Sequence, residues 1–147
     1  MQARKRSGTR SAANSTLKQP EFFCFFADES LDSLTVVAAL RDAGARVERA
    51  LDHFTKGTLD EVWLAEAGRR DWVVLTRDKR IRYRQLERLT LKSAGVRAFV
   101  FIGGNVTGRE TGEILANALG RMVKILRTVP GPFIYHIGRS GTLTRMN

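Results

Sequence analysis

Cysteine is almost missing from this chain. Cys24 stands alone, so no intrachain disulfide can staple the fold. It lies inside an apolar run, where a buried, unreactive thiol is the ordinary reading, and cysteine this sparse fits a reducing cytosol. Only two histidines accompany it, which leaves no Cys/His cluster for structural zinc. No apolar run approaches the roughly 20 residues of a membrane span. The glycines match no nucleotide-binding fingerprint, and no nucleophile elbow is visible. Acids are the most telling shortage: 15 Asp and Glu face 25 Lys and Arg, for a formal net charge of +10 over 147 residues.

What remains is the composition of one soluble globular domain, 43% hydrophobic and long enough for a real core. The positive charge has two parts. Residues 1–21 carry Arg4, Lys5, Arg6, Arg10 and Lys18 against Glu21 alone; the remainder holds 20 basic and 14 acidic residues. Both the leading segment and the domain therefore favour a polyanionic partner. Residues 1–20, rich in Ser, Arg, Lys and Thr and closed by Pro20, read as a disordered basic arm. Transit peptides share that composition, but the amphipathic pattern they need is not strong here. Residues 21–147 form the folded domain.

Apolar runs and helical periods then alternate. FFCFFA (22–27) is continuous, as expected of a parallel strand buried on both faces. A helix follows over 31–43, with Leu34, Val37, Ala38 and Leu40 on its apolar side and Gly44 as its stop. Residues 45–51 make a strand, and 59–70 a helix with Val62, Leu64 and Ala65 inward. WVVLT (72–76) is a strand, 79–94 a helix ending near Gly95, and VRAFVFI (96–102) a strand. Residues 109–127 keep the clearest 3.6-residue stripe: Ile114, Leu115, Ala118, Leu119, Met122, Val123 and Leu126. FIYHI (133–137) is the last central strand, and GTLTRM is an edge strand or tail. This order predicts a mainly parallel sheet with helices on both faces.

Three scarce acids stand where such a sheet binds ligands. Asp28 follows the first strand, Asp60 opens a helix, and Asp78 follows WVVLTR. Loops leaving the carboxyl ends of the strands meet in one crevice. Carboxylates gathered there repel one another unless a cation sits among them, and oxygen donors suit Mg2+ or Mn2+. A metal ringed by acids in a basic protein points to hydrolysis of a polyanion's phosphodiester bonds. Ordinary roles compete: Asp28 or Ser30 could cap the next helix, and Thr58-x-x-Glu61 has the spacing of a capping box, which assigns Glu61 to structure. Glu29 is a second acid after the first strand, available to the metal or to a helix dipole.

Basic residues crowd the third acid. Arg77, Lys79, Arg80, Arg82 and Arg84 fall within eight residues, and Arg80, Arg84, Arg88 and Lys92 recur every fourth. On a continuous helix the latter form one ridge able to hold a phosphate backbone; a solvated face is the plain alternative. Gly103-Gly104-Asn105 forms a turn in which Asn105 could add an oxygen to a metal shell, and Thr107-x-x-Glu110 is another capping-box spacing. His53 is an ordinary loop histidine, with a phosphate contact as the sharper reading.

FFADESL (25–31) followed by LDEVWLAEAGRRDWVVLTRDK (59–79) resembles the PIN-like nucleases, especially the compact branch related to VapC-type toxins. Asp28-Glu29, Asp60 with Ala67, and Thr76-Arg77-Asp78 occupy that branch's places in order. The resemblance spans most of residues 22–105. It implies a three-layer α/β/α sandwich and a Mg2+- or Mn2+-dependent endoribonuclease that leaves a 5′-phosphate and a 3′-hydroxyl. It carries over Asp28, Asp60 and Asp78 as metal-binding, catalytic acids. Many relatives are toxins paired with an antitoxin protein, and many are homodimers. The branch often has a further Asp two residues after the Thr-Arg-Asp acid; here Arg80 stands there, leaving Glu29, Asn105 or water to complete the shell.

The preferred reading is therefore a cytoplasmic endoribonuclease. Asp28, Asp60 and Asp78 hold one or two ions, and Arg77, Lys79, Arg80, Arg84 and Arg88 position the RNA. Two rivals remain: a catalytically degenerate module of the same fold that binds RNA or protein, and a DNA-directed nuclease. A nucleotide-binding regulator ranks below them, lacking the glycine fingerprint.

Overall fold

A computed structural model of the chain describes residues 23–82 and 84–146; the basic arm at 1–20 lies outside the described residues. Six strands form one sheet in the order β2-β1-β3-β4-β5-β6. They span Cys24–Ala27 (β1), Arg46–Arg49 (β2), Val73–Thr76 (β3), Arg97–Phe101 (β4), Phe133–Ile137 (β5) and Leu143–Met146 (β6). The first five pair in parallel, and β6 closes the edge antiparallel to β5. The helices are α1 (Leu34–Asp42), a single turn α2 (Ala50–His53), α3 (Asp60–Arg69), α4 (Gln85–Ser93) and α5 (Gly108–Thr128).

Side-chain alternation along the strands makes two cores. Phe25, Ala27, Val73, Leu75, Phe99, Phe101, Phe133 and Ile137 face α1 and α5. Phe26, Val74, Ala98, Val100 and Ile134 face α3 and α4, against Trp63, Leu64, Ala67 and Leu91. Strands buried on both faces need apolar residues at every position, which is why FFCFFA and WVVLT read as unbroken runs. The result is the expected α/β/α sandwich. Glycine lets α3 approach α4 closely: a Cβ on Gly68 would lie 2.5 Å from the Ala94 Cβ.

Local details depart from the sequence reading in instructive ways. Ser33, rather than Asp28 or Ser30, caps α1 by accepting from the Val36 amide at 3.1 Å. The buried face of α1 is Val36, Val37 and Leu40, while Leu34 is exposed. On α3 the inward residues are Trp63, Leu64 and Ala67; Val62 is half exposed. Ala38 and Ala65, also expected inward, are exposed. The box at Thr58-x-x-Glu61 does not form: Leu59 is the N-cap, without a side-chain cap bond. Thr58 instead donates its hydroxyl to the Thr55 carbonyl at 2.6 Å. Thr107 and Glu110 do form a reciprocal box on α5. The expected 79–94 helix is two pieces, a 3₁₀ turn at Lys79–Arg82 and then α4.

The chain leaves β1 to make β2 on one side, then returns to lay β3 on the other. Consecutive connections thus diverge between β1 and β3. That reversal opens a crevice at the carboxyl ends of these two strands.

Candidate metal centre at the carboxyl edge of the sheet

Asp28 and Asp78 leave β1 and β3, which are direct neighbours. Asp28 extends their pairing by one bond, from its amide to the Leu75 carbonyl at 3.1 Å. Asp28 is 6% exposed. Oδ1 accepts from the Ser30 amide at 3.0 Å and from the Ser30 hydroxyl; Oδ2 accepts from the Thr76 hydroxyl at 2.5 Å. Burial pushes the Asp28 carboxyl up to about 6 against the pull of these donors, and the nearby charge of Asp60 adds to the rise.

Asp60 is the first residue of α3, where the helix dipole favours a negative charge. Its Oδ1 accepts from the Trp63 indole N–H at 3.0 Å, a bond that fixes the carboxylate against a buried ring. Asp78 is held on both sides. Its amide donates to the Thr76 hydroxyl, and its Oδ1 accepts from the Arg80 amide, each at 3.0 Å. Thr76, itself fully buried, thereby links Asp28 to Asp78.

A third oxygen source comes from Glu87 on α4. One carboxylate oxygen each from Asp60, Asp78 and Glu87 lies within 4.8 Å of the others. Burial raises the Glu87 carboxyl above its usual range, and the charge of Asp60 raises it further. Among these acids stands a cation from the chain itself. Arg84 Nη1 lies 3.2 Å from Asp78, 3.3 Å from Glu87 and 3.6 Å from Asp60. The donors are all oxygens, their spacing suits a shared hard cation, and a guanidinium already stands in for one. The residues present therefore fit a divalent ion such as Mg2+ or Mn2+.

Glu87 was not singled out in the sequence. Its signal was available: between Arg77 and Lys92 the acids are Asp78 and Glu87, amid seven basic residues. Asp28 lies outside the tight trio but within reach of Asp60's charge. Glu29 turns elsewhere, accepting from the Gly57 amide at 2.7 Å and so tying down the loop before α3. Asn105 is exposed in the loop after β4.

The basic residues divide by position. Arg77 is fixed: it donates to the Gly104 carbonyl at 2.9 Å and to Thr111, and lies 5.1 Å over the Phe101 ring. Arg84 has turned into the acids. Lys79 and Arg80 are exposed on the 3₁₀ turn, and Arg88 and Lys92 on α4. The break between 82 and 85 therefore interrupts the expected four-residue ridge. The Arg82 side chain lies outside the described residues. His53 pairs with Glu48 at 2.6 Å and sits edge-on to Trp72.

Fold and site together define an α/β protein with an acidic, cation-holding centre at the topological switch point of its sheet. A family model described as a PIN like domain matches residues 24–103, more than half the chain, and the chain belongs to that family. The match begins at β1 and ends just past β4, so it contains Asp28, Asp60, Asp78 and Glu87. The protein named "Putative ribonuclease VapC45" from Mycobacterium tuberculosis (strain ATCC 25618 / H37Rv) is 28% identical over 116 residues. That alignment covers 76% of this chain and 83% of the relative. No solved structure matches the chain at a significant level. Among the described residues, no helix is long and apolar enough to cross a membrane.

Proposed function

We propose that the protein is a divalent-metal-dependent endoribonuclease, and that it acts as the toxin of a toxin–antitoxin pair. The observation that carries the nuclease reading is the convergence of Asp60, Asp78 and Glu87 on one cation position, beside buried Asp28. Membership of the PIN-like family supports it, as does similarity to a protein named as a ribonuclease.

In this reading Asp60, Asp78 and Glu87 hold Mg2+ or Mn2+, with Asp28 behind them as a further acidic ligand. The bound ion supplies Lewis-acid activation of water and stabilises charge on the leaving oxygen. Trp63 and Thr76 orient the acids. Lys79, Arg80 and Arg88, exposed around the same edge, attract and align the phosphate backbone. Arg77 shapes the crevice wall by holding the β4–α5 loop. The partners implied are single-stranded or structured RNA, an antitoxin protein and a second copy of the chain.

The test is cleavage of single-stranded RNA and of a DNA oligonucleotide of matched sequence, with Mg2+, with Mn2+ and with EDTA. RNA cut only with metal, and lost in Asp60→Asn and Asp78→Asn, supports the proposal. DNA cleavage at equal rate makes the protein a general nuclease. A second reading has its own observation: a cation, Arg84, occupies the acid centre, and Arg80 stands where the branch often has an Asp. A binding module of the same fold would show RNA affinity without cleavage under any metal.

A further inference from the structure

Arg80 Nε, on a largely exposed side chain, lies 3.5 Å from Asp78; Arg77 and Arg84, to either side of it in the chain, differ in how they are held. Arg77 is locked by a carbonyl, a hydroxyl and a ring face. Among the described residues, the Arg84 guanidinium meets only carboxylates. A guanidinium binds best when two nitrogens meet one carboxylate as a fork, at about 2.7–2.9 Å. Arg84 instead shares the single Nη1 among three acids, at 3.2, 3.3 and 3.6 Å. That geometry collects charge without committing to a partner. The side chain is 40% exposed, so it has a way out to solvent.

Its backbone makes the exit cheap. Arg84 is the N-cap of α4, with φ −74° and ψ 125°, and its side chain makes no cap bond. Its carbonyl accepts from the Arg88 amide at 2.8 Å, and its amide donates to the Arg80 carbonyl at 3.2 Å. Neither bond depends on where the guanidinium points. The side chain can therefore swing out without unwinding the helix, while the acids already stand within reach of one ion.

Resting on the metal-centre reading above, we propose that Arg84 is a built-in counter-ion of the metal-free centre that divalent ions must displace. A guanidinium cannot lose its proton in a protein, so Arg84 and a divalent ion compete for one space. With the arginine in place, three acids at the crevice are partly neutralised and the metal-free fold keeps its shape. With the ion in place, the arginine is expelled. The chain thereby exchanges metal affinity for stability in the metal-free state, and the site fills only when the ion concentration is high enough to win.

The experiment compares wild type, Arg84→Gln, Arg84→Lys and Asp78→Asn, all as full chains. Mn2+ affinity is read from the loss of the free-ion electron paramagnetic resonance signal, and melting temperature is taken in EDTA and in Mn2+. Arg84→Gln should bind Mn2+ at least tenfold more tightly than wild type. It should melt lower in EDTA and gain more from Mn2+. Arg84→Lys, which keeps the charge, should lie between. If wild type binds Mn2+, Asp78→Asn does not, and Arg84→Gln binds no more tightly than wild type, the counter-ion role is wrong and the metal centre stands. Mn2+ binding by neither wild type nor Arg84→Gln overturns both. Should Arg84→Gln fail to fold in EDTA, refolding it in Mn2+ supports the proposal, and failure there too overturns it.

Discussion

The Thr76 hydroxyl donates to Asp28 at 2.5 Å, and the same oxygen accepts from the Asp78 amide at 3.0 Å. One buried hydroxyl thus fixes two acids that are 50 positions apart in the chain. Thr76→Val keeps the shape and removes both bonds. It leaves a buried carboxylate short of a donor, a loss of about 1–3 kcal/mol. Stability should fall by that amount, and RNA cleavage should fall more than tenfold. Thr76→Ser should keep most of both. Urea denaturation and initial rates check this; a Thr76→Val enzyme with wild-type rate would remove Thr76 from the site.

Metal binding should appear as stability. Free ion at 100 times its dissociation constant stabilises the native state by about 2.7 kcal/mol, so wild type should melt higher in Mg2+ or Mn2+ than in EDTA. Asp60→Asn, Asp78→Asn and Glu87→Gln should each lose most of that gain and nearly all cleavage. Glu87→Gln should also melt at or above wild type in EDTA, because it removes a charge that burial disfavours. Glu61→Gln is the control: Glu61 stands beside Asp60 on α3 but outside the trio. It should keep activity and the full response to metal.

The protonation of Asp28 fixes the sign of one pH effect. Its folded pKa is raised to about 6, against about 3.9 in an unfolded chain. A raised carboxyl pKa contributes stability that is fully present below about pH 3.9 and is lost as pH rises through about 6. In EDTA, wild type should therefore give up roughly 2 kcal/mol from this group between pH 4, where the unfolded carboxyl is already half ionised, and pH 7. Asp28→Asn lacks the group and should gain that much on wild type over the same interval. Urea melts at pH 4, 5, 6 and 7 read the difference; a flat line would show that Asp28 titrates normally.

The sandwich was legible because its signals are local and redundant. The apolar runs FFCFFA and WVVLT contain the central strands Cys24–Ala27 and Val73–Thr76, and the stripe from Leu115 to Leu126 lies on one amphipathic helix. Asp28, Asp60 and Asp78 were legible because acids stand out in a basic chain at strand and helix ends. Glu87 was hidden because, on an uninterrupted helix, it reads as an i,i+3 partner of Arg84. The 3₁₀ break before α4 re-aims both residues, and no periodicity announces it. The capping-box spelling at Thr58 misled for a related reason: the turn with Thr55 satisfied the hydroxyl first. Arg84 was read by charge alone, as a phosphate ligand. The acids that claim it come from α3, from the end of β3 and from its own helix.

Salt dependence separates the arginines that meet RNA from those that build the crevice. Each phosphate contact contributes about 0.7 to the slope of log affinity against log salt for single strands. Arg88 and Lys92 stand exposed one turn apart on α4. If RNA runs along that face, Arg88→Glu with Lys92→Glu should flatten the slope by about 1.4 and weaken binding at low salt most. Arg77 should behave differently. Its guanidinium is committed to Gly104, Thr111 and Phe101, so Arg77→Met should lower stability while leaving the slope near that of wild type. Binding is measured in EDTA, between 50 and about 200 mM salt, so that no RNA is cut. An unchanged slope in the Arg88/Lys92 double variant would make α4 a solvated face. A slope that moves only with Arg77 would put the RNA on the opposite wall, above β4 and α5.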